Sequence, residues 1–128
     1  MTKQKRTVFY LSDRTGITAE TLGHSLLTQF DGIEWEIINV PFLDDLEKAQ
    51  AVLVQINHAT EYDGHRPLVF STLLKPKILE VIKRTNCRVF DFFETFINPI
   101  EQELNQPFAR MAGRSHGLQH HLSYFKRI

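Results

Sequence analysis

The sequence predicts an α/β fold: an open, mainly parallel sheet of about four strands with flanking helices and a C-terminal arm. Three observations predict it. Four short apolar segments read as buried strands, each is followed by apolar residues at helical spacing, and each strand ends in a polar or proline-containing turn. Strands alternating with helices pair in parallel through crossover connections, which gives layers of the flavodoxin-like or Rossmann-like kind.

Thr7 to Leu11 is the first strand, short and mostly apolar. From Thr18 the period changes: Ala19, Leu22, Gly23, Leu26, Leu27 and Phe30 fall on one helix face, with Thr18 as N-cap and Asp31-Gly32 as terminator. Trp35 to Val40 forms a second strand closed by Pro41, and Asp44 with Glu47 three residues later reads as a capping box. Leu46, Ala49, Leu53 and Ile56 make the buried stripe of that helix, and a polar connection follows from Asn57 to Arg66. The third strand, Pro67 to Phe70, ends at Ser71-Thr72; Pro76 then opens a helix whose Leu79 and Ile82 face inward until Asn86. Cys87 to Asp91 is the fourth strand, and Asn98-Pro99-Ile100-Glu101 carries N-cap and N1 signals for a last helix. Residues 1–105 therefore form the α/β domain. Residues 106–128 read as an arm, rich in Gly, Arg and His, whose Leu122, Tyr124, Phe125 and Ile128 start a linker helix.

Composition narrows the function classes. The 128 residues are 42% hydrophobic with ten Phe, enough for one core, and fifteen basic against fifteen acidic residues leave a formal net charge of +0. No global field recruits nucleic acid or an anionic membrane. Cys87 is the only cysteine, which excludes an intrachain disulfide or thiolate cluster and fits a reducing cytoplasm. The apolar stretch after the charged residues 1–6 is far short of the roughly 18 residues that read as a membrane span.

Ligands of open parallel sheets bind outside the carboxyl ends of the strands. The turn after the first strand is the best anion candidate: Ser12, Thr15 and Thr18 offer hydroxyls, Gly16 permits angles closed to other residues, and the next helix presents unpaired N–H groups. Asp13 would repel an anion unless a metal or Arg14 intervened, and a carboxylate in that position binds Mg2+ or accepts a hydroxyl proton. The same residues also suit plain turn formation and helix capping, and both readings stand at this level. Ser71-Thr72 and Asp91 read as strand-end caps, His24 as a partly buried structural histidine, Cys87 as a small core residue, and Phe90, Phe92, Phe93 and Phe96 as core or subunit packing. Glu101 and Glu103 read as a solvated helix face. His116, His120 and His121 lack a carboxylate or cysteine at useful spacing, so no metal site is expected. No G-x-x-x-x-G-K-[ST] and no G-x-G-x-x-G occurs, so a nucleotide cradle is missing from these residues.

The S-D-R-T-G-I-T-A-E-T-L-G-H run from Ser12 to His24, Pro41-Phe42, Arg66 to Phe70 and Gly113-Arg114-Ser115-His116-Gly117 together resemble the N-terminal half of the bacterial phosphoenolpyruvate synthase regulatory proteins and the related pyruvate, phosphate dikinase regulatory proteins. The resemblance spans nearly the whole chain. It implies a bifunctional enzyme: an ADP-dependent Ser/Thr kinase that inactivates its target by phosphorylating a threonine, and a phosphate-dependent phosphorylase that reverses this with release of pyrophosphate. ADP and inorganic phosphate are then substrates, with Mg2+ as the accompanying ion. The partner is phosphoenolpyruvate synthase or pyruvate, phosphate dikinase, the Arg66 to Phe70 segment and the arm being more like the synthase regulators, and a homodimer is compatible with it. The family's P-loop lies further along, on a second domain toward which Tyr124 to Ile128 would lead. By this resemblance Asp13 is the catalytic candidate, Ser12, Thr15, Gly16 and Thr18 line the anion site, and Arg114, Ser115 and His116 belong to target docking or a shared site. Two other functions fit the residues: a non-catalytic target-docking module, and a binder of a small phosphorylated ligand.

Overall fold

A computed structural model of the chain describes residues 3–109. The elements run β1 (Gln4–Leu11), α1 (Ile17–Leu27), β2 (Ile33–Val40), α2 (Leu46–Asp63), β3 (Leu68–Ser71), α3 (Pro76–Lys83), β4 (Arg88–Asp91), a π-helical segment Phe93–Ile97 and α4 (Asn98–Leu104). All four strands pair in parallel in the order β2-β1-β3-β4. The expected architecture is the one observed. Because β1 sits between β2 and β3, the direction of winding reverses there, and the carboxyl edge at such a reversal is where open parallel sheets bind ligands.

Val8, Phe9, Tyr10 and Leu11 are each at most 1% exposed, which is why this half of β1 is continuously apolar and does not alternate. Phe9 and Leu11 pack with Val69 against Ala49, Val52 and Ile56 of α2 and Ile78, Val81 and Ile82 of α3. Val8 and Tyr10 point the other way, into a cluster with Ala19 and Leu27 of α1, Phe70 and Phe92. Phe70 stacks on Phe90 at 5.3 Å and meets Phe92 edge-on at 6.3 Å, and Phe93 stacks on Phe108 at 5.5 Å, so the aromatic run is packing material, as expected.

Several local expectations are corrected. Thr18 does not cap α1: Gly16 holds the N-cap position at φ 84° and Thr18 lies in the first turn, because the left-handed glycine lets the helix begin two residues earlier. Helix α1 also stops at Leu27, tightened by bonds from the N–H groups of Thr28 and Phe30, which leaves Leu26 and Phe30 exposed. The cap of α2 is Asp45, whose carboxylate accepts the Lys48 N–H at 2.8 Å; Asp44 instead pairs with the Lys48 ammonium at 3.0 Å. The stretch read as a polar connection is helical to Asp63, since Ala59 is buried on the core side and the polar residues face outward; Gly64 at φ 71° ends it. In that helix Val52 and Ala59 are buried, whereas Leu46 is half-exposed; in α3, Ile78 and Val81 are buried and Leu79 only partly. Asn98 caps nothing, because the π-helical segment runs straight into α4. His24 is exposed in the last turn of α1, where a basic residue suits the helix dipole.

Gly23 is where α1 comes closest to the sheet. A Cβ placed there would run into the Tyr10 ring and lie 3.1 Å from Phe70 Cδ2. Gly23→Ala should therefore lower stability by about 1–3 kcal/mol through overpacking, although alanine is the better helix former by about 1 kcal/mol; urea unfolding followed by circular dichroism measures it.

Candidate functional site

The turn after β1 is bound to both neighbouring loops. Ser12 donates its N–H to the Val40 carbonyl at 3.1 Å and accepts the Leu43 N–H at 2.8 Å, while the Arg14 carbonyl accepts the Phe42 N–H at 2.8 Å. Phe42 turns the chain at φ 55°, an angle uncommon outside glycine and asparagine. On the other side, the Thr72 N–H donates to the Leu11 carbonyl at 3.0 Å, and Asp13 Oδ2 accepts the Leu74 N–H at 3.1 Å. The β1 exit thereby ties the start of α2 to the start of α3 across the crevice.

Within the turn the side chains are already engaged. Ser12 is buried and its Oγ accepts the Arg14 N–H at 3.0 Å, closing a tight serine turn. Ser71, one strand over, does the same for the Leu73 N–H at 3.1 Å. Thr15 and Thr18 are exposed at the open side of the turn, next to Gly16. The first N–H groups of an α-helix have no intrahelical acceptor, and its amino end carries roughly half a positive charge; here that end follows Gly16, at the carboxyl edge. Arg14 is exposed beside it.

Two cations at this edge escaped the sequence reading. Lys48 reaches the Phe42 carbonyl at 3.1 Å as well as Asp44, and Lys75 reaches the Asp44 carbonyl at 2.8 Å. Lys48 beside Asp44 holds that carboxyl below the usual range. Both lysines sit at the starts of helices, α2 and α3, that begin at the carboxyl edge, and strand–helix alternation alone would have placed them there. The structure brings Ser12, Asp13, Thr15, Gly16 and Thr18 together; Arg114, Ser115 and His116, like His120 and His121, lie outside the described residues.

Asp91, at the end of β4 in register with Ser71, is 8% exposed. One carboxylate oxygen accepts the Glu94 N–H at 3.2 Å, capping the segment that follows, and the other is buried without a partner. Burial pushes its pKa up, only partly offset by the backbone hydrogen bonds. Cys87 is half-buried against the α2–α3 cluster, with the Thr85 hydroxyl 3.2 Å from its Sγ, and burial pushes its thiol up too. Among the described residues no group of three His, Cys, Asp or Glu is placed to hold a metal ion. No described helix is long and apolar enough to cross a membrane.

Residues 8–128 match the kinase/pyrophosphorylase family. The chain belongs to that family. It is 60% identical over 124 residues to a protein of Nitrosomonas europaea and 50% identical over 128 residues to one of Alkalilimnicola ehrlichii, both provisionally named phosphoenolpyruvate synthase regulatory protein. A Legionella pneumophila protein with the same provisional name is 48% identical over 124 residues. These matches cover 97–100% of this chain but only 45–46% of each relative, so the chain spans about half the length of the kinase/pyrophosphorylase relatives it matches.

Two measurements follow. A carboxyl whose folded-state pKa is raised stabilises the fold fully below its unfolded pKa and progressively less as pH rises through the folded value. Asp91→Asn should therefore equal or exceed the parent in stability at neutral pH, and should lack the parent's decline above the ordinary aspartate value of about 3.9; urea midpoints across pH 4 to 8 test this. Cys87 should react with a thiol reagent at least about tenfold more slowly in the folded chain than in denaturant, as followed by absorbance.

Proposed function

We propose that this chain forms the anion-binding wall of a bifunctional ADP-dependent Ser/Thr kinase and phosphate-dependent phosphorylase that regulates phosphoenolpyruvate synthase or, less in keeping with the relatives' names, pyruvate, phosphate dikinase. The observation that carries the reading is the Ser12 to Thr18 turn at the winding reversal of the sheet, in a chain of the kinase/pyrophosphorylase family. Backbone N–H groups at the start of α1 are the phosphate donors, Thr15 and Thr18 add hydroxyls, and Arg14, Lys48 and Lys75 supply positive charge around them. In one direction a phosphoryl group passes from ADP to a threonine hydroxyl, leaving AMP. In the other, inorganic phosphate takes the phosphoryl group from phosphothreonine and departs as pyrophosphate.

Asp13 has one oxygen on the Leu74 N–H; its second oxygen would accept the threonine proton. It also fits the way Mg2+ is usually held, by one or two carboxylates together with phosphate oxygens and water, so Asp13 would be the protein ligand and the ion would neutralise phosphate charge. The nucleotide cradle belongs, by the same reading, to the further length that the relatives have, reached through residues 106–128. Arg114, Ser115 and His116 would then contact the target or complete the shared site.

A second reading has its own observation. Ser12 and Asp13 both make hydrogen bonds that hold the turn itself, which is what a docking module with no chemistry of its own would need. In the protein extended to the relatives' length, Asp13→Asn should lower phosphoryl transfer from ADP to the target about 100-fold or more, with target affinity and thermal midpoint unchanged. Intact turnover, together with loss of target binding in Arg114→Ala and His116→Ala, would instead establish the docking role, and failure of the parent protein to transfer phosphate would refute the kinase reading.

A further inference from the structure

The sheet's two edges are unlike. β4 is four residues long, whereas β2 runs for eight, pairs with β1 along its whole length and, among the described residues, has no strand on its outer side. Proteins usually blunt such an edge by shortness, proline or lysine, and β2 contains neither residue. Its outer row of N–H and C=O groups is a template for an added strand.

A cleft of about 640 Å3 lies between β2 and the C-terminal half of α2, walled by Glu34, Glu36 and Ile38 of the strand and Val54, His58 and Tyr62 of the helix. Val54 and Tyr62 are 65% and 77% exposed. Glu34 and Glu36, two residues apart, share one face of the strand, are exposed, and enter no ion pair among the described residues. Lys5, the register partner of Glu34, lines the same cleft without reaching it. Arg6, His58 and Asp63 line it too, the Arg6 guanidinium donating to the Gln4 side chain and the Arg66 carbonyl and Asp63 accepting the Thr7 hydroxyl at 2.7 Å. On the edge strand itself the charged side chains are the two carboxylates, with Val54 and Tyr62 on the helix side of the cleft.

We propose that β2 and this cleft take up an extended segment of a partner protein by strand addition. The segment carries Lys or Arg at alternate positions, opposite Glu34 and Glu36, with an apolar side chain against Val54 and Tyr62. Main-chain hydrogen bonds to β2 supply affinity, and the side-chain alternation supplies specificity. The surface lies at the amino end of β1 and β2, whereas the Ser12 to Thr18 turn lies at the carboxyl end, so this inference is independent of the phosphate chemistry.

The Trp35 side chain packs on the opposite face of the strand, against the α1 cluster, so occupancy of the cleft in the 128-residue chain is read by titration calorimetry and not by fluorescence. Ten-residue peptides alternating Lys with Val, Glu with Val, and Lys with Val but N-methylated at every second amide are the probes. The first should bind saturably, lose affinity at least tenfold between about 0.05 M and about 0.5 M salt, and outbind the other two at least tenfold. Combined Glu34→Lys and Glu36→Lys substitution should reverse the charge preference; Glu34→Gln with Glu36→Gln, which preserves shape, should abolish it if the lysine variant fails to fold. Equal binding of the acidic and basic peptides, indifference to N-methylation, or no binding at all would overturn the proposal. So would a dimer mass in sedimentation that the basic peptide fails to dissociate, which would assign the edge to a second copy.

Discussion

Burial of the second half of β1, Thr7 to Leu11, is the constraint on which the rest of the structure depends. A strand paired on both sides and covered on both faces must satisfy every backbone group through its neighbours and fill both layers with its side chains. Val8 to Leu11 does this with apolar side chains pointing alternately to α1 and to α2 with α3. Hence β2 and β3 must lie on either side, the crossovers must place helices on opposite faces, and the reversal of winding must fall at the exit of β1. The glycine in α1 follows from the same constraint, since only a residue without a side chain lets the helix seat on the Tyr10 ring.

The exit turn inherits that geometry. Its carbonyl, amide and carboxylate groups join the loops from β2 and β3, so the position of the α1 amino end is fixed by hydrogen bonds on both flanks. A helix amino end held in this way attracts anions through its backbone, without a charged side chain at the centre. Ser12, and Asp13 through one of its oxygens, hold the turn, while Thr15, Thr18, Arg14, Lys48 and Lys75 are exposed. The relatives that the chain matches are about twice as long, so on the proposed reading the rest of the site would come from that further length.

The ends of the sheet show how the same fold distributes risk. β4 is short, and Arg88 lies 4.6 Å from the Phe90 ring centroid, so that edge offers little to pair with. β2 is long and carries its glutamates outward, which discourages like strands while leaving the backbone available.

The sequence by itself determined the fold class, the count and direction of the strands, and the placement of the Ser12 to Thr18 turn after the first of them. Those features rest on local matters, namely apolar periodicity and turn chemistry, which neighbouring residues encode. It missed the true caps, Gly16 and Asp45, because which of several neighbouring cap-forming residues starts a helix is decided by backbone angles that depend on how the loops meet. It read the end of α2 as loop because one buried Ala59 among polar residues is a weak periodic signal, whereas packing against the sheet is decisive. Only the tertiary structure decided the strand order, the carboxylate of Asp13 on the Leu74 N–H, the lysines at the crevice and the burial of Asp91, since each joins residues far apart in the chain whose proximity no local pattern records.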